Sequence, residues 1–487
     1  MMALDMNLVM NRRLLLPMVS ALALSACAVG PDYKPPASPP PADATLGEAQ
    51  GSAAITQAAL PGQWWRLFED PLLDGLVEKA LAHNNDLRGA SANLQRARAL
   101  LNEAGAARLP TTDASAQATE QRSRALGPQP AFKTDFYSVG FDASYEIDLF
   151  GGVSRSIEAA RGDVGAAQAA LDAARVSIAA ETARTYAVAC GFGAQAAAAR
   201  ETVTLQGKTL DLTSRLLSGG RGTQRDVDQA VVLVEQAKAQ IATFEAEQRA
   251  ALYALAVLTG DPPARADRAV AACTVPPSVS VAIPVGDGQA LLARRPDVRQ
   301  AERTLAADTA RIGVATAALY PSISLMGAIS LGATSPSDIG TKDSLSYSIG
   351  PLISWNFPFS GAARARVRQN EAIAAGSLAA FDKAVLTALQ ETEQALARLK
   401  GALDREAALR RALDASESAA GIAERRFGAG ADSFLQLLDA QRSRANARAA
   451  LASAQSDRAE AQVALFKALG GGWEEAPAPT RAAATGG

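Results

Sequence analysis

The sequence predicts a mainly α-helical chain that carries a membrane β-domain and is built from two internal repeats. Three observations lead there. Segments such as "FYSVGFDASYEIDL" (Phe136 to Leu149) alternate apolar and polar residues almost without fault, the mark of a strand with one oily and one wet face. Two long runs, Ala131 to Asp261 and Phe359 to Ala476, contain no proline and are dominated by alanine, leucine, glutamate and arginine, as long helices require. The chain also repeats itself at an offset of about 210 residues: "NNDLRGA" (Asn84 to Ala90) returns as "RPDVRQA" (Arg295 to Ala301), and "DLFGG" (Asp148 to Gly152) as "FPFSG" (Phe357 to Gly361).

The elements follow in chain order. Arg12 and Arg13 precede the apolar run Leu14 to Leu24, which is too short to span a bilayer and has the layout of an export signal over residues 1–26. The run ends in Leu24, Ser25, Ala26, Cys27, which resembles a bacterial lipobox and makes Cys27 the expected site of a covalent lipid. The alternative is an ordinary cleavage site beside a chance cysteine. Alanine at position 28, rather than aspartate, points such a lipoprotein to the outer membrane. Residues 27–63 are rich in Pro, Ala and Gly and read as an extended tether with no core of its own; residues 474–487 read as a loose tail. Trp64, Trp65 and Phe68 are expected to pin the end of the tether to helices rather than to form a ligand platform.

The first repeat covers residues 64–273 and the second 274–473. Strands are expected near 112–120, 136–149, 322–332 and 344–357, with helices near 86–108 and 225–258. A long helix follows each strand pair, about 65 residues or ~95 Å by the α-helical rise, and the shorter helices stack end to end beside it. Such helices suit a wall of close-packed helices or an ordinary alanine-rich coiled coil. "SGGRGT" (Ser218 to Thr223) and "GAGADS" (Gly428 to Ser433) are the one glycine-rich break in each run, with Thr223 and Ser433 as N-caps. Gly470 to Gly472 lack the lysine of a phosphate loop and read as a helix stop. Cys190 and Cys273 are expected to be buried or free thiols, a disulfide being the alternative in an oxidising compartment.

A single alternating strand suits a soluble sandwich as well as a membrane. Strands of this length, with Tyr and Trp on the apolar face of an exported chain, favour the membrane. Four strands do not close a barrel, and an open edge in lipid leaves backbone groups unpaired. Three copies give a 12-stranded β-barrel with a passage, where two give eight strands that fill their own interior. The predicted fold is therefore a trimeric barrel, four strands per chain, continued by a long α-helical barrel.

The segments "CAVGPDYKPP" (Cys27 to Pro36), "WWRLFEDPLLDGLV" (Trp64 to Val77), "RPDVRQAERTLAADTARIGVATAALYPSISLMG" (Arg295 to Gly327), "LLDAQRSRANAR" (Leu437 to Arg448) and "LFKALGGGW" (Leu465 to Trp473) together resemble the lipoprotein branch, of NodT or OprM type, of the TolC-like outer-membrane efflux proteins. The resemblance spans nearly all of the mature chain. It implies a homotrimeric channel that docks with a periplasmic adaptor and an inner-membrane RND pump, in contact with outer-membrane lipid, with no cofactor beyond the lipid on Cys27.

The resemblance also places the two glycine-rich turns at a periplasmic tip that closes at rest. Asp432 is then expected at the aperture, held by Arg425, Arg426 or Arg221; it would equally serve to cap the next helix. Asp226 and Gln436 occupy matching places after the turns and are expected to line the tip or receive a partner. Asp142, Glu146 and Asp148 lie on the wet side of their strand and are expected to line the barrel lumen, or to be plain solvated acids.

The remaining function classes fit poorly. A net charge of -2 over 487 residues gives no footprint for nucleic acid, and a lone histidine, His83, leaves no recognisable catalytic set. No spacing suggests a metal site. A passive exit duct of an efflux pump is the leading reading; a duct for secreted protein, or a non-conducting coiled-coil lipoprotein, are the alternatives.

Overall fold

The computed structural model describes residues 28–36, 46–49, 54–123, 132–355, 357 and 361–474. In chain order the elements are β1 (Ile55–Thr56), α1 (Pro71–His83), α2 (Asn85–Ala106), β2 (Thr111–Ser123), β3 (Phe132–Ile147), α3 (Gly152–Ser218), α4 (Gln224–Leu258), α5 (Arg268–Ala271), β4 (Ile283–Pro284), α6 (Gly288–Arg294), α7 (Pro296–Ala317), β5 (Ser322–Ala333), β6 (Leu345–Ser354), α8 (Ala362–Gly428) and α9 (Phe434–Ala468). The repeat is evident in the lengths. Both α3 and α8 have 67 residues, and both α4 and α9 have 35.

The described residues form two compact units. One comprises the described parts of Met1–Ala37, Leu94–Ala167 and Gln300–Phe381, and contains the four-stranded antiparallel sheet in the order β2-β3-β5-β6. Helix packing within this unit is tight because small residues face one another: a Cβ added at Gly162 would meet that of Ala307 at 2.8 Å. Arg311 of α7 bonds Asp163 of α3 at 2.6 Å, and Ser377 of α8 donates to Asp308 of α7 at 2.5 Å.

The segment 28–36 differs from the free tether expected of it. Val29 donates its amide to the Phe150 carbonyl at 3.2 Å, and Ala28 lies against Gly151. The Arg155 guanidinium, buried at 6% exposure, binds Asp32 at 2.6 Å and Glu158 at 2.8 Å, and Tyr33 donates to Glu302. Proline keeps this segment out of helices and sheets, and a buried cation, a backbone bond and the Tyr33 hydroxyl together attach it.

The other unit comprises the described parts of Ser38–Asn93, Gln168–Arg299 and Asp382–Gly487. Trp64, fully buried, stacks on Phe466 of α9 at 4.7 Å, with Phe68 edge-on, so the aromatic cluster pins this part of the chain as expected. Residues expected to be loose are again bound: Ile55 and Thr56 pair in parallel with Ile283 and Pro284, and Glu393 accepts the amides of Gly47 and Glu48. Tyr186 of α3 donates to Asp70, which also caps α1 through the amides of Leu72 and Leu73.

The cysteines correct the expectation of free thiols. Cys190 of α3 and Cys273 form a disulfide that closes 83 residues of sequence. Gly193 makes the approach possible, since a Cβ there would lie 2.0 Å from the Cys273 carbonyl oxygen. Gln248 of α4 donates to the carbonyls of Ala271 and Cys273, fixing the same stretch from a second side.

Candidate functional site

Two places carry the chemistry singled out in the sequence, the sheet and the pair of helical turns. In the sheet, each antiparallel pairing places like faces together. Val139 opposes Leu331, Phe141 opposes Ile329, and Ile329 opposes Tyr347, so the apolar residues of three strands form one continuous face. That face is bare: Val139, Phe141, Ile329 and Leu345 are about half exposed, and Tyr347 and Ile349 nearly four-fifths. A contiguous exposed apolar face on a folded sheet is what a lipid-facing surface requires.

The opposite face is mainly serine, glycine and acid, with Met326, Ala328 and Leu352 as its apolar members. Ser330 and Ser346 hydrogen-bond across strands at 2.7 Å, and Ser115, Gly140 and Ser138 lie near the middle of the sheet. Asp142 belongs to this face and directly opposes Asp113. Asp113 was missed in the sequence, although the alternation of "TDASAQAT" held the signal, since Asp113, Ser115 and Gln117 fall opposite the alanine face. Glu146 is also on the polar face, beside a cavity of about 420 Å³ where the sheet meets its helices.

Asp148 lies beyond the paired strand and has a structural role at a helix start. Alternation continues to Leu149 in the sequence, but strand pairing ends at Ile147. The Asp148 carboxylate accepts the amides of Val153 and Ser154, at 3.0 and 2.8 Å, and so caps the start of α3.

The helical turns are two copies of one design. In each a left-handed glycine, Gly220 at φ 74° or Gly430 at φ 76°, ends the long helix. In the first turn Arg221 donates to the Leu216 carbonyl and Gly220 to that of Leu217; in the second Ala431 donates to Arg426 and Gly430 to Phe427. These are the paired bonds of a Schellman cap. The next helix then opens with a capping box, Thr223 with Asp226 in one repeat and Ser433 with Gln436 in the other. Asp226 and Gln436, expected to line the tip or meet a partner, therefore spend hydrogen bonds on their own helix starts.

The turns differ in how their sides are joined. In the first, Leu216 approaches Gly222, where an added Cβ would lie 3.3 Å from that of Leu216. At the equivalent positions of the second stand Arg426 and Asp432, and Arg426 Nε donates to both carboxylate oxygens at 2.9 and 3.0 Å. Asp432 is thus paired within its own chain, and the helix cap is Ser433. Arg221 and Arg425, also expected near it, are exposed, and among the described residues the ion pair of Asp432 is with Arg426. Behind both turns, Ala230, Leu233, Ala423, Phe434, Leu437 and Leu438 form one buried cluster, which holds the two hairpin ends together.

A sheet with one lipid-like and one aqueous face, on a chain of two long helical repeats, narrows the comparison. The family model described as outer membrane efflux protein matches residues 76–261 and 288–471. This chain belongs to the outer membrane efflux protein family. Among relatives of this efflux-family chain, OprJ of Pseudomonas aeruginosa is 33% identical, covering 93% of this chain and 95% of its own length. Nodulation protein T of Rhizobium leguminosarum bv. viciae is 31% identical, covering 93% and 92%. The solved outer-membrane channel OprN superposes with a TM-score of 0.86 at 35% identity, over 92% of the efflux-family chain and all of that structure. The fold is therefore that of the TolC-like outer-membrane channels, a helical domain joined to a β-domain, with the repeat visible as two matched regions. Lipidation at Cys27 falls outside the described residues.

Proposed function

We propose that this protein is the outer-membrane duct of a tripartite RND-type efflux system, through which drugs or other small toxic compounds leave the periplasm passively. The observation that carries the proposal is the sheet. Its edges, β2 and β6, are unpaired in the single chain, its apolar face is bare, and its other face holds serine, glycine and acid. Pairing β6 of one copy with β2 of the next removes both edges, and three copies give 12 strands, enough for an aqueous passage.

The long helix α8 supports assembly from copies. It contains an apolar window of which only 22% is buried within one chain, and Ile373, Leu378 and Leu386 are exposed on it. Neighbouring copies would cover such surface. The names of the relatives support the activity, since OprJ of Pseudomonas aeruginosa is named as an outer membrane protein and SrpC of Pseudomonas putida, 32% identical, is named for a solvent efflux pump. An inner-membrane pump and a periplasmic adaptor supply the energy and the connection, and a lipid on Cys27 adds an anchor at the membrane.

The test is efflux itself. In cells that retain the cognate adaptor and pump, deletion of this chain is expected to raise accumulation of a fluorescent dye or sensitivity to solvent, and re-expression to reverse it. Unchanged accumulation and sensitivity to antibiotics, dyes, solvents and metal salts would contradict the efflux reading.

A further inference from the structure

The start of α8 sets three arginines where helix physics disfavours them. Arg364, Arg366 and Arg368 fall within the first seven residues of the helix, and its first turn contains no acid. A helix N-terminus carries the positive end of the macrodipole, so cations there are repelled and anions attracted. The first repeat handles the equivalent place differently: Asp148 caps α3, and its nearest arginine, Arg155, is buried among Asp32, Glu158 and two backbone carbonyls. In the second repeat the three arginines are exposed, and among the described residues their side chains have no ion-pair partner. The first acid along the helix is Glu371, also exposed. Stability of the folded chain does not explain this arrangement, and a local conflict of this kind marks a surface that meets something else.

Position names the partner. The arginines begin seven residues after Phe357, and Trp355 and Phe357 pack together at 4.1 Å, about half exposed, at the end of β6. Trp355 also donates its indole N–H to the Leu319 carbonyl at 3.1 Å, which fixes the ring, and Tyr320 beside Leu319 is 43% exposed. Exposed Trp and Tyr at the end of lipid-facing strands mark the boundary between hydrocarbon and headgroups. From Arg364 to Arg368 the helix advances ~6 Å, within the depth of a headgroup layer, about 5–8 Å on each side of a bilayer.

We propose that Arg364, Arg366 and Arg368 form a binding surface for the phosphate of anionic phospholipids in the periplasmic leaflet. Arg364 and Arg368, one turn apart, share a helix face and present two guanidinium groups to one headgroup, the geometry that phosphate favours. Arg366 flanks them. The headgroup supplies the negative charge that the helix start lacks, so lipid binding and the end of the membrane domain reinforce each other. The proposal rests on the reading of the sheet as membrane-facing.

The test uses Trp355 as reporter, since Trp64 and Trp65 are buried and Trp473, partly exposed under the Arg299 guanidinium, is the one background signal to subtract. The purified full chain is titrated with brominated phosphatidylglycerol or brominated phosphatidylcholine, and quenching of tryptophan fluorescence is measured, with Trp355→Phe defining the Trp355 component. The wild type is expected to prefer phosphatidylglycerol, by roughly fivefold for each arginine engaged. The preference should fall towards one in R364Q/R366Q/R368Q and return in R364K/R366K/R368K. It should also weaken in the wild type as salt rises from about 0.05 to 0.5 M, a check that needs no variant. No preference in the wild type, or a preference that survives both the triple variant and salt, would overturn the proposal. Quenching of Trp355 by neither lipid would instead overturn the membrane reading of the sheet, and this inference with it.

Discussion

Arg426 donates from Nε to both carboxylate oxygens of Asp432, six residues along the same chain, and so closes the second helical turn on itself. The carboxylate is 13% exposed and the guanidinium 56%. The charge of Asp432 is therefore compensated within its own chain, and what the turn exposes is arginine.

That pairing makes a distinctive prediction. If the ion pair stiffens a closed aperture, Asp432→Ala and Arg426→Ala both loosen it and both increase channel open time in a planar bilayer. A free carboxylate ring would give opposite effects, because removing the arginine would leave its field stronger. Opposite signs for the two variants would remove the pair from the gate. The exposed guanidinium limits the stability at stake to about 1 kcal/mol or less.

The capping boxes predict an effect on stability. Asp226→Ala and Gln436→Ala each remove the side chain that returns to the N-cap amide, and each should cost about 0.5–1 kcal/mol, read as a lower thermal midpoint. A loss of adaptor binding by either variant without any thermal change would show that these side chains serve a partner instead.

Asp113 and Asp142 face each other across β2 and β3, and like charges in that relation repel. Asp142→Asn should stabilise the sheet by about 0.2–1 kcal/mol. It should also lower the cation preference of the channel, measured as reversal potential in a salt gradient. An unchanged reversal potential would remove Asp142 from the conduction path.

The Tyr186 hydroxyl, bonded to Asp70 at 2.6 Å, has its pKa raised above the usual 10.0, first by burial and then by the neighbouring carboxylate. A raised pKa means that the bond contributes fully below pH 10.0 and that its contribution is lost as pH rises through the higher folded value. Tyr186→Phe should cost about 1–2 kcal/mol at neutral pH, and the gap from wild type should shrink only at strongly alkaline pH. A gap that closes in acid would contradict the assignment.

The disulfide predicts a redox-sensitive midpoint. Reduction, or Cys190→Ser, should lower the melting temperature by the equivalent of ~2–4 kcal/mol, because the closed loop of 83 residues constrains the unfolded chain. Equal midpoints with and without reductant would show that the bond does not form in the protein.

Much of this fold is written locally. Period-two alternation marked the strands, proline-free alanine-rich runs marked the helices, and the glycines at 220 and 430 marked the turns, because each depends on a few neighbouring residues. The failures depend on distance. Alternation continues through Asp148, but where pairing stops is set by the partner strand, so a helix cap reads in the sequence as one more strand residue. Cys190 and Cys273 meet only after the chain folds back, through the gap that Gly193 leaves. The segment 28–36 looked loose because the residues that hold it, Phe150, Arg155 and Glu302, lie more than a hundred residues away. The partner of Asp432 was one of three nearby arginines, and only the path of the turn selects Arg426.

The most direct test of the central claim is single-channel conductance of the detergent-extracted protein in a planar bilayer, with native mass determined on the same sample. A mass three times that of the mature chain, with small or flickering currents, is the predicted result. A monomer that conducts nothing, alone or with Asp432→Ala, would contradict the duct and leave a structural lipoprotein.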